Sequence, residues 1–222
     1  MVVGVLLAAG ASTRMGSPKP LVPTRGGSFL SRGVRNLWSV CDQVVVVLGS
    51  QGAKVRDAVE REFAELAESG ALQEEIEAAH RHGSDGLEVH FVENAEWRQG
   101  MYASVRLGLR EAIRPKPEAV MLLPVDHPIV KPRTIAALGD MLKAATAACA
   151  AKERAAFAYA LVPRYRRHRG HPVALTPALA AAIARDGDAE NLSDAIRRSA
   201  RLVGYLDVND AGVTRNVNRR GD

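Results

Sequence analysis

The sequence predicts an α/β protein: a Rossmann-like three-layer α/β/α sandwich built on a mostly parallel sheet. Three unbroken apolar runs, Val2 to Leu7, Val44 to Leu48 and Ala119 to Leu123, have the composition of strands buried on both faces. Between them lie stretches whose apolar residues recur at helical spacing, and strand–helix alternation implies parallel pairing through right-handed crossovers. The size agrees. A chain of 222 residues, without internal repeat or linker, suits one domain over 1–222 whose core needs neither disulfides nor a structural metal.

In chain order, the first strand gives way to a loop rich in Gly, Ser and Pro. Ser28 can then cap a helix carrying Phe29, Leu30, Val34, Leu37 and Trp38. After the strand at Val44 to Leu48, Gly49-Ser50-Gln51-Gly52 turns into a helix from about Ala53 to Ala67. Glu68 to Gly86 is polar and reads as a helix end and a loop. Leu87 to Val92 is a strand, Asn94 to Gly100 a loop, and Tyr102 to Ile113 a helix burying Val105, Leu109 and Ile113. Pro115-Lys116-Pro117 ends that helix, since proline lacks the donor a helix needs. After Ala119 to Leu123, a helix from Arg133 to about Ala148 presents Ile135, Leu138 and Leu142 on one face. A strand from Ala155 to Val162, a basic loop from Arg164 to Arg169 and the segment Pro172 to Leu175 follow. A helix from about Pro177, a short helix from Asn191 to Arg198 and a strand from Leu202 to Leu206 complete the series.

A net charge of +5 and a pI near 9.5 raise the question of nucleic acid. The patterning argues against it. Acidic residues are interspersed throughout, and aromatic residues, 5% of the chain, are too sparse for a base-stacking platform. The cluster Arg164-Tyr165-Arg166-Arg167-His168-Arg169 suits a small anionic substrate instead. Cys41 and Cys149 have no metal-ligand spacing, and two distant cysteines make no disulfide framework, so a reducing cytoplasmic setting is expected. The start has no basic leader, and no apolar run approaches the roughly 18 residues of a membrane span.

Chemistry concentrates in Leu7-Ala8-Ala9-Gly10-Ala11-Ser12-Thr13-Arg14-Met15-Gly16-Ser17-Pro18-Lys19-Pro20-Leu21, directly after the first strand. Gly10 and Gly16 let main-chain N–H groups turn inward on an anion, and Arg14 and Lys19 add positive charge beside them. This is the chemistry of a phosphate cradle. It is not a P-loop, because Ser17 stands after Gly16 where lysine would be required. Nor is it a dinucleotide fingerprint, since Ser12 occupies the second glycine position.

The stretch resembles the Leu-Ala-Ala-Gly-x-(Ser/Gly)-x-Arg-Met-Gly-x-x-Lys-x-Leu segment of the nucleotidyltransferase superfamily. Matches at four further places make the chain similar to molybdenum cofactor cytidylyltransferase-like proteins, the MobA-like NTP transferases. The resemblance implies a nucleotide-diphospho-sugar transferase-like fold and transfer of a nucleoside monophosphate to a phosphorylated acceptor, with release of pyrophosphate. Glu68 to Gly86 departs from the pattern as an insertion.

Under this resemblance Leu7, Ala8, Ala9, Gly10, Ser12 and Gly16 line the nucleotide. Arg14 grips the β- and γ-phosphates, and Lys19 stabilises charge on the α-phosphate. Asp126, in Pro124-Val125-Asp126-His127-Pro128 at the carboxyl end of a strand, is the hard oxygen ligand that Mg²⁺ prefers. His127 stands where the family usually has Gln and is expected to contact the acceptor or the residues behind the metal. In Asn216-Val217-Asn218 the second metal ligand is Asn218, preferred over Asn216, although Arg219-Arg220-Gly221 replaces the family's Thr-Pro-Glu. Ser104, in Gly100-Met101-Tyr102-Ala103-Ser104, would meet the base. Ala9 in Ala-Ala-Gly points to CTP. Arg169-Gly170-His171-Pro172-Val173 matches the acceptor loop, with Arg166, Arg167 and Arg169 available to a terminal phosphate and His171 to the acceptor. Molybdopterin is the acceptor implied, and a molybdoenzyme a possible partner. The alternatives are a sugar or polyol phosphate acceptor, or a catalytically weak nucleotide-binding accessory to a molybdoenzyme.

Overall fold

The structure is a computed structural model that describes residues 1–10, 18–24, 26–72, 88–150, 153 and 156–217. Its strands are β1 (Val2–Ala8), β2 (Pro23–Thr24), β3 (Gly27–Ser28), β4 (Gln43–Leu48), β5 (Glu88–Glu93), β6 (Ala119–Pro124), β7 (Tyr159–Tyr165), β8 (His168–Arg169), β9 (Val173–Leu175) and β10 (Leu202–Asp207). The α-helices are α1 (Phe29–Trp38), α2 (Gly52–Glu68), α3 (Met101–Ala112), α4 (Pro132–Ala147), α5 (Pro177–Arg185) and α6 (Leu192–Ser199). The main sheet runs β10-β7-β9-β6-β1-β4-β5, with β8 added to β7, and β2 pairs with β3 apart from it.

β1 lies at the middle, parallel to β4 on one side and to β6 on the other. Every residue of β1, β6 and all but the first of β4 is buried, as continuous apolar runs require. Alternation sends Val2, Leu6 and Ala8 to the face covered by α1, α2 and α4. It sends Val3, Val5 and Leu7 to the face covered by α3, α5 and α6. Three layers result. The two apolar cores lie on opposite faces of the sheet. α1 starts where expected, with Ser28 Oγ accepting from Ser31 N at 3.2 Å.

From β1 the chain steps outward to β4 and β5, then returns across β1 to build β6 on its other side. The ends of β1 and β6 are therefore neighbours at a topological switch point, the place where open α/β sheets hold ligands. Register makes the alignment close: Leu7 pairs with Pro124, and Val125 N donates to Leu7 O at 3.0 Å.

Four details differ from the sequence reading. The strand expected from Ala155 runs instead over Tyr159–Tyr165, and the basic loop is a hairpin of β7 and β8. Its two turn residues, Arg166 and Arg167, have φ of 49° and 71°. A two-residue turn of this kind is ordinarily signalled by Asn or Gly, and Arg-Arg gives no such signal. Ile113 caps α3 half-buried, and Ala112 takes the buried place. β9, antiparallel to both β6 and β7, interrupts the parallel order. Ser12, Arg14 and Gly16, the polar segment over 73–87, Ala155 and Asn218 lie outside the described residues.

Candidate active site

At the switch point Lys19 and Asp126 meet. Lys19 opens the 3-10 turn Lys19–Leu21, rooted by buried Pro20 and by Val22 N donating to Lys19 O at 3.1 Å. Asp126 sits two residues beyond β6, and Lys19 Nζ lies 3.3 Å from its Oδ2. Each side chain is less than a fifth exposed, at 18% and 17%. The other carboxylate oxygen, Oδ1, accepts from His127 Nδ1 at 2.9 Å. Burial pushes the Asp126 carboxyl upward, but the hydrogen bond and charge of His127, with the Lys19 ammonium, outweigh it and bring the pKa down to about 2. Asp126 is thus an ionised oxygen donor at neutral pH.

His127 is itself buried, and its ring stands edge-on to His171 with centroids 4.8 Å apart. Burial lowers the His171 pKa to about 4, with the nearby His127 acting in the same direction against Asp126. Its Nδ1 is buried without a hydrogen-bond partner among the described residues.

Both loops are held by the segment after β10, which sequence reasoning missed. Val213 O accepts from His171 N at 2.8 Å, and Val217 N donates to Asp126 O at 2.9 Å. Gly170 is required here, because a Cβ would run into Val213 O. Asp210, only 2% exposed, accepts from Lys131 N (2.9 Å), Thr134 Oγ1 (2.7 Å) and Gly212 N (2.9 Å), and so fixes this segment to the start of α4. The turn-forming string Asn209-Asp210-Ala211-Gly212 was the available signal. Asn216 is exposed beside Val217.

The other site residues divide into two groups. Leu7, Ala8 and Ala9 are buried at the end of β1, while Gly10 is exposed and has no described heavy atom within 4 Å of where a Cβ would lie. The turn after β4 presses on this point, since a Cβ on Gly49 would collide with Ala9 O. Ser104, on the first turn of α3, is buried and accepts from Asn94 Nδ2 at 2.8 Å. It is anchored to Asn94, the residue that follows β5.

Arg169 and His171 border a cleft of about 760 Å³ between the ends of β1, β6, β7 and β9 and the helices α3 and α6. Leu7, Val105, Val162, Val173 and Ile196 give it apolar walls, and Arg169, Arg197, Arg201 and Tyr205 supply polar groups. Its lining includes Pro124 and His171 but neither Lys19 nor Asp126. Arg164 is engaged elsewhere, forked onto Asp207 at 3.0 and 2.8 Å. Its guanidinium and that of Arg169 lie 4.8 and 5.4 Å from the centre of the Tyr205 ring. Arg166 and Arg167 are exposed on the hairpin turn.

The chemistry available is therefore a cation and an ionised carboxylate at the ends of β1 and β6, close to a cleft that shares Pro124 and His171 with them. The donor set fits a hard divalent ion, which typically takes one or two carboxylates and completes its shell with water and phosphate oxygens. Among the described residues no group of three or more His, Cys, Asp and Glu side chains is arranged to hold a metal ion, and no helix is long and apolar enough to cross a membrane.

Comparison with known proteins bears on the same elements. A probable molybdenum cofactor guanylyltransferase of Rhodopirellula baltica is 50% identical over 46 residues, 20% of this chain and 22% of that protein, so the match spans under a quarter of that relative. Nicotine blue oxidoreductase of Paenarthrobacter nicotinovorans is 27% identical across 97% of this chain and 91% of its own length. The crystal structure of Rv0371c from Mycobacterium tuberculosis has a TM-score of 0.63 at 26% identity, covering 93% of this chain and 88% of that one. A second structure of Rv0371c is a complex with manganese; it has a TM-score of 0.61 at 24% identity and covers 93% of this chain and 87% of that one. Residues 4–202, from the centre of β1 to the start of β10, match the model of the MobA-like NTP transferase domain, and this chain belongs to that family.

Proposed function

We propose that this protein transfers a nucleoside monophosphate, CMP from CTP, to a phosphorylated acceptor such as molybdopterin, releasing pyrophosphate. The observation that carries this reading is the pairing of Lys19 with Asp126 at the crevice where β1 and β6 end. In the reaction an acceptor phosphate oxygen attacks the α-phosphorus, a P–O bond forms, and the bond from the α-phosphorus to the bridging oxygen breaks as pyrophosphate departs. The chain's task is to position and to neutralise charge. Lys19 bears on the α-phosphate oxygens as negative charge builds there, and Arg14 holds the departing phosphates. Asp126 and Asn218 would hold Mg²⁺, which when bound supplies electrophilic charge to the phosphate oxygens. His127 fixes the orientation of Asp126.

The CTP preference rests on Ala9 through the family resemblance. The acceptor preference rests on the cleft: its apolar walls favour a ring-bearing body over a polyhydroxylated sugar or polyol phosphate, and Arg169 offers its guanidinium to a phosphate. A cytoplasmic place for the reaction, and a molybdoenzyme receiving the product, belong to the same reading.

The test is a panel of CTP, GTP, UTP and ATP against molybdopterin and simple sugar phosphates with Mg²⁺, scored by pyrophosphate. CTP with molybdopterin should give the fastest release. No release with any pair, together with measurable nucleotide binding, would instead favour an accessory that binds nucleotide without turning it over.

A further inference from the structure

Asp126 is a carboxylate with both oxygens already engaged. His127 occupies Oδ1, and the Lys19 ammonium lies against Oδ2 at 3.3 Å. We infer that in the free protein Lys19 is the internal occupant of the divalent-cation site, and that nucleotide must draw the ammonium away before Asp126 can hold the ion firmly. This rests on the reading above that Asp126 is a metal ligand.

The surroundings leave few other ways to open the site. The carboxylate's own backbone is pinned on two sides, by Val125 N on Leu7 O and by Val217 N on Asp126 O. The root of Lys19 is fixed by its 3-10 turn and by buried Pro20. His127 is buried against His171. What can move is the four-carbon stem of Lys19, a flexible tether carrying a point charge. Because both partners are less than a fifth exposed, bulk salt screens their attraction poorly, and an incoming ion must compete with it.

A triphosphate changes that competition. Its oxygens offer Lys19 partners of greater combined charge than one carboxylate, so the swing that brings the ammonium to the α-phosphate also uncovers Oδ2. Metal affinity without nucleotide is then reduced by the small fraction of molecules in which Lys19 stands away from Asp126. Linkage makes the effect reciprocal, and nucleotide and cation each strengthen the other's binding. Lys19 thereby has a second role, as the residue that couples metal occupancy to substrate.

The experiment measures Mn²⁺ alone, without nucleotide, from the electron paramagnetic resonance signal of the free ion. The proteins are wild type, Lys19→Met, Lys19→Gln, Asp126→Asn, and Lys131→Met as an exposed cation five residues beyond Asp126. Both Lys19 variants should bind Mn²⁺ more tightly than wild type by about tenfold or more. Lys131→Met should stay within about twofold, the size of a distant screened charge. Two neutral replacements of different shape guard against a misfolded variant. If Asp126→Asn weakens Mn²⁺ binding while neither Lys19 variant tightens it, the metal ligand stands and the occupancy of its site by Lys19 is overturned. If Asp126→Asn binds Mn²⁺ as wild type does, the metal reading itself fails and takes this inference with it.

Discussion

Two ion pairs in this protein are both within contact distance and differ in their exposure to water. Lys19 and Asp126 stand 3.3 Å apart, Arg164 and Asp207 2.8 Å, yet the first pair is 18% and 17% exposed and the second 33% and 69%. The longer pair is the consequential one. The Arg164–Asp207 contact is held in water at an edge of the sheet, where an ion pair is worth about 0.2–1 kcal/mol. Burial around Asp126 makes each neighbouring charge count. The drop of its pKa from 3.8 to about 2 corresponds to about 2 kcal/mol favouring the ionised form. An abundance of arginine on the surface of the β7–β8 hairpin is therefore a weaker pointer to chemistry than a single lysine against a buried carboxylate.

The largest expected effect falls on the buried pair. Asp126→Ala should lower Mg²⁺-dependent pyrophosphate release by about a thousandfold or more, of order the loss of a metal's charge stabilisation, while circular dichroism shows the fold retained. Full turnover in that variant would break the contrast at its strong end. Lys19→Ala should cost about 3 kcal/mol of barrier, the order of one preorganised donor, read as a drop in kcat.

His171 sharpens the comparison through pH. Its pKa lies at about 4 in the folded chain against an ordinary 6.5, so the unfolded chain binds more protons between those values. Stability should fall as pH drops from about 6.5 to 4, by up to about 3 kcal/mol from this group. The depressed Asp126 adds a further loss below about pH 4, as its carboxylate is protonated towards pH 2. Urea titrations at pH 7.5 and 5 should show the first loss in wild type, and His171→Gln should flatten it.

Smaller effects belong to the exposed arginines. Arg169→Ala should raise the acceptor KM by about tenfold, the value of one charge-assisted contact, with little change in kcat. Asp207→Ala should shift stability by less than about 1 kcal/mol. A larger loss there would mean that the edge pair is not the weak partner described.

How far the sequence revealed these regions follows the same physics. β1, β4 and β6 were legible because a strand buried on both faces leaves an unbroken apolar run, and α1 because Ser28 and a helical stripe mark its start and inner face. Asp126 was legible as a carboxylate just past such a strand. The hairpin was not, because Arg166 and Arg167 adopt positive φ without the residues that normally advertise it. β9 escaped for a different reason: three residues are too few for a period, and nothing local reports that Val173–Leu175 runs antiparallel. Asp210 was hidden because its partners lie about eighty positions earlier in the chain, at Lys131 and Thr134.

The hydrogen bonds from His171 N to Val213 O and from Val217 N to Asp126 O bear on the order in which the protein is made. The ribosome delivers residues 208–217 well after the loops they secure. A nascent chain that already has its central strands would still lack these backbone braces on Asp126 and His171, so the two loops reach their final arrangement only after synthesis has passed that point.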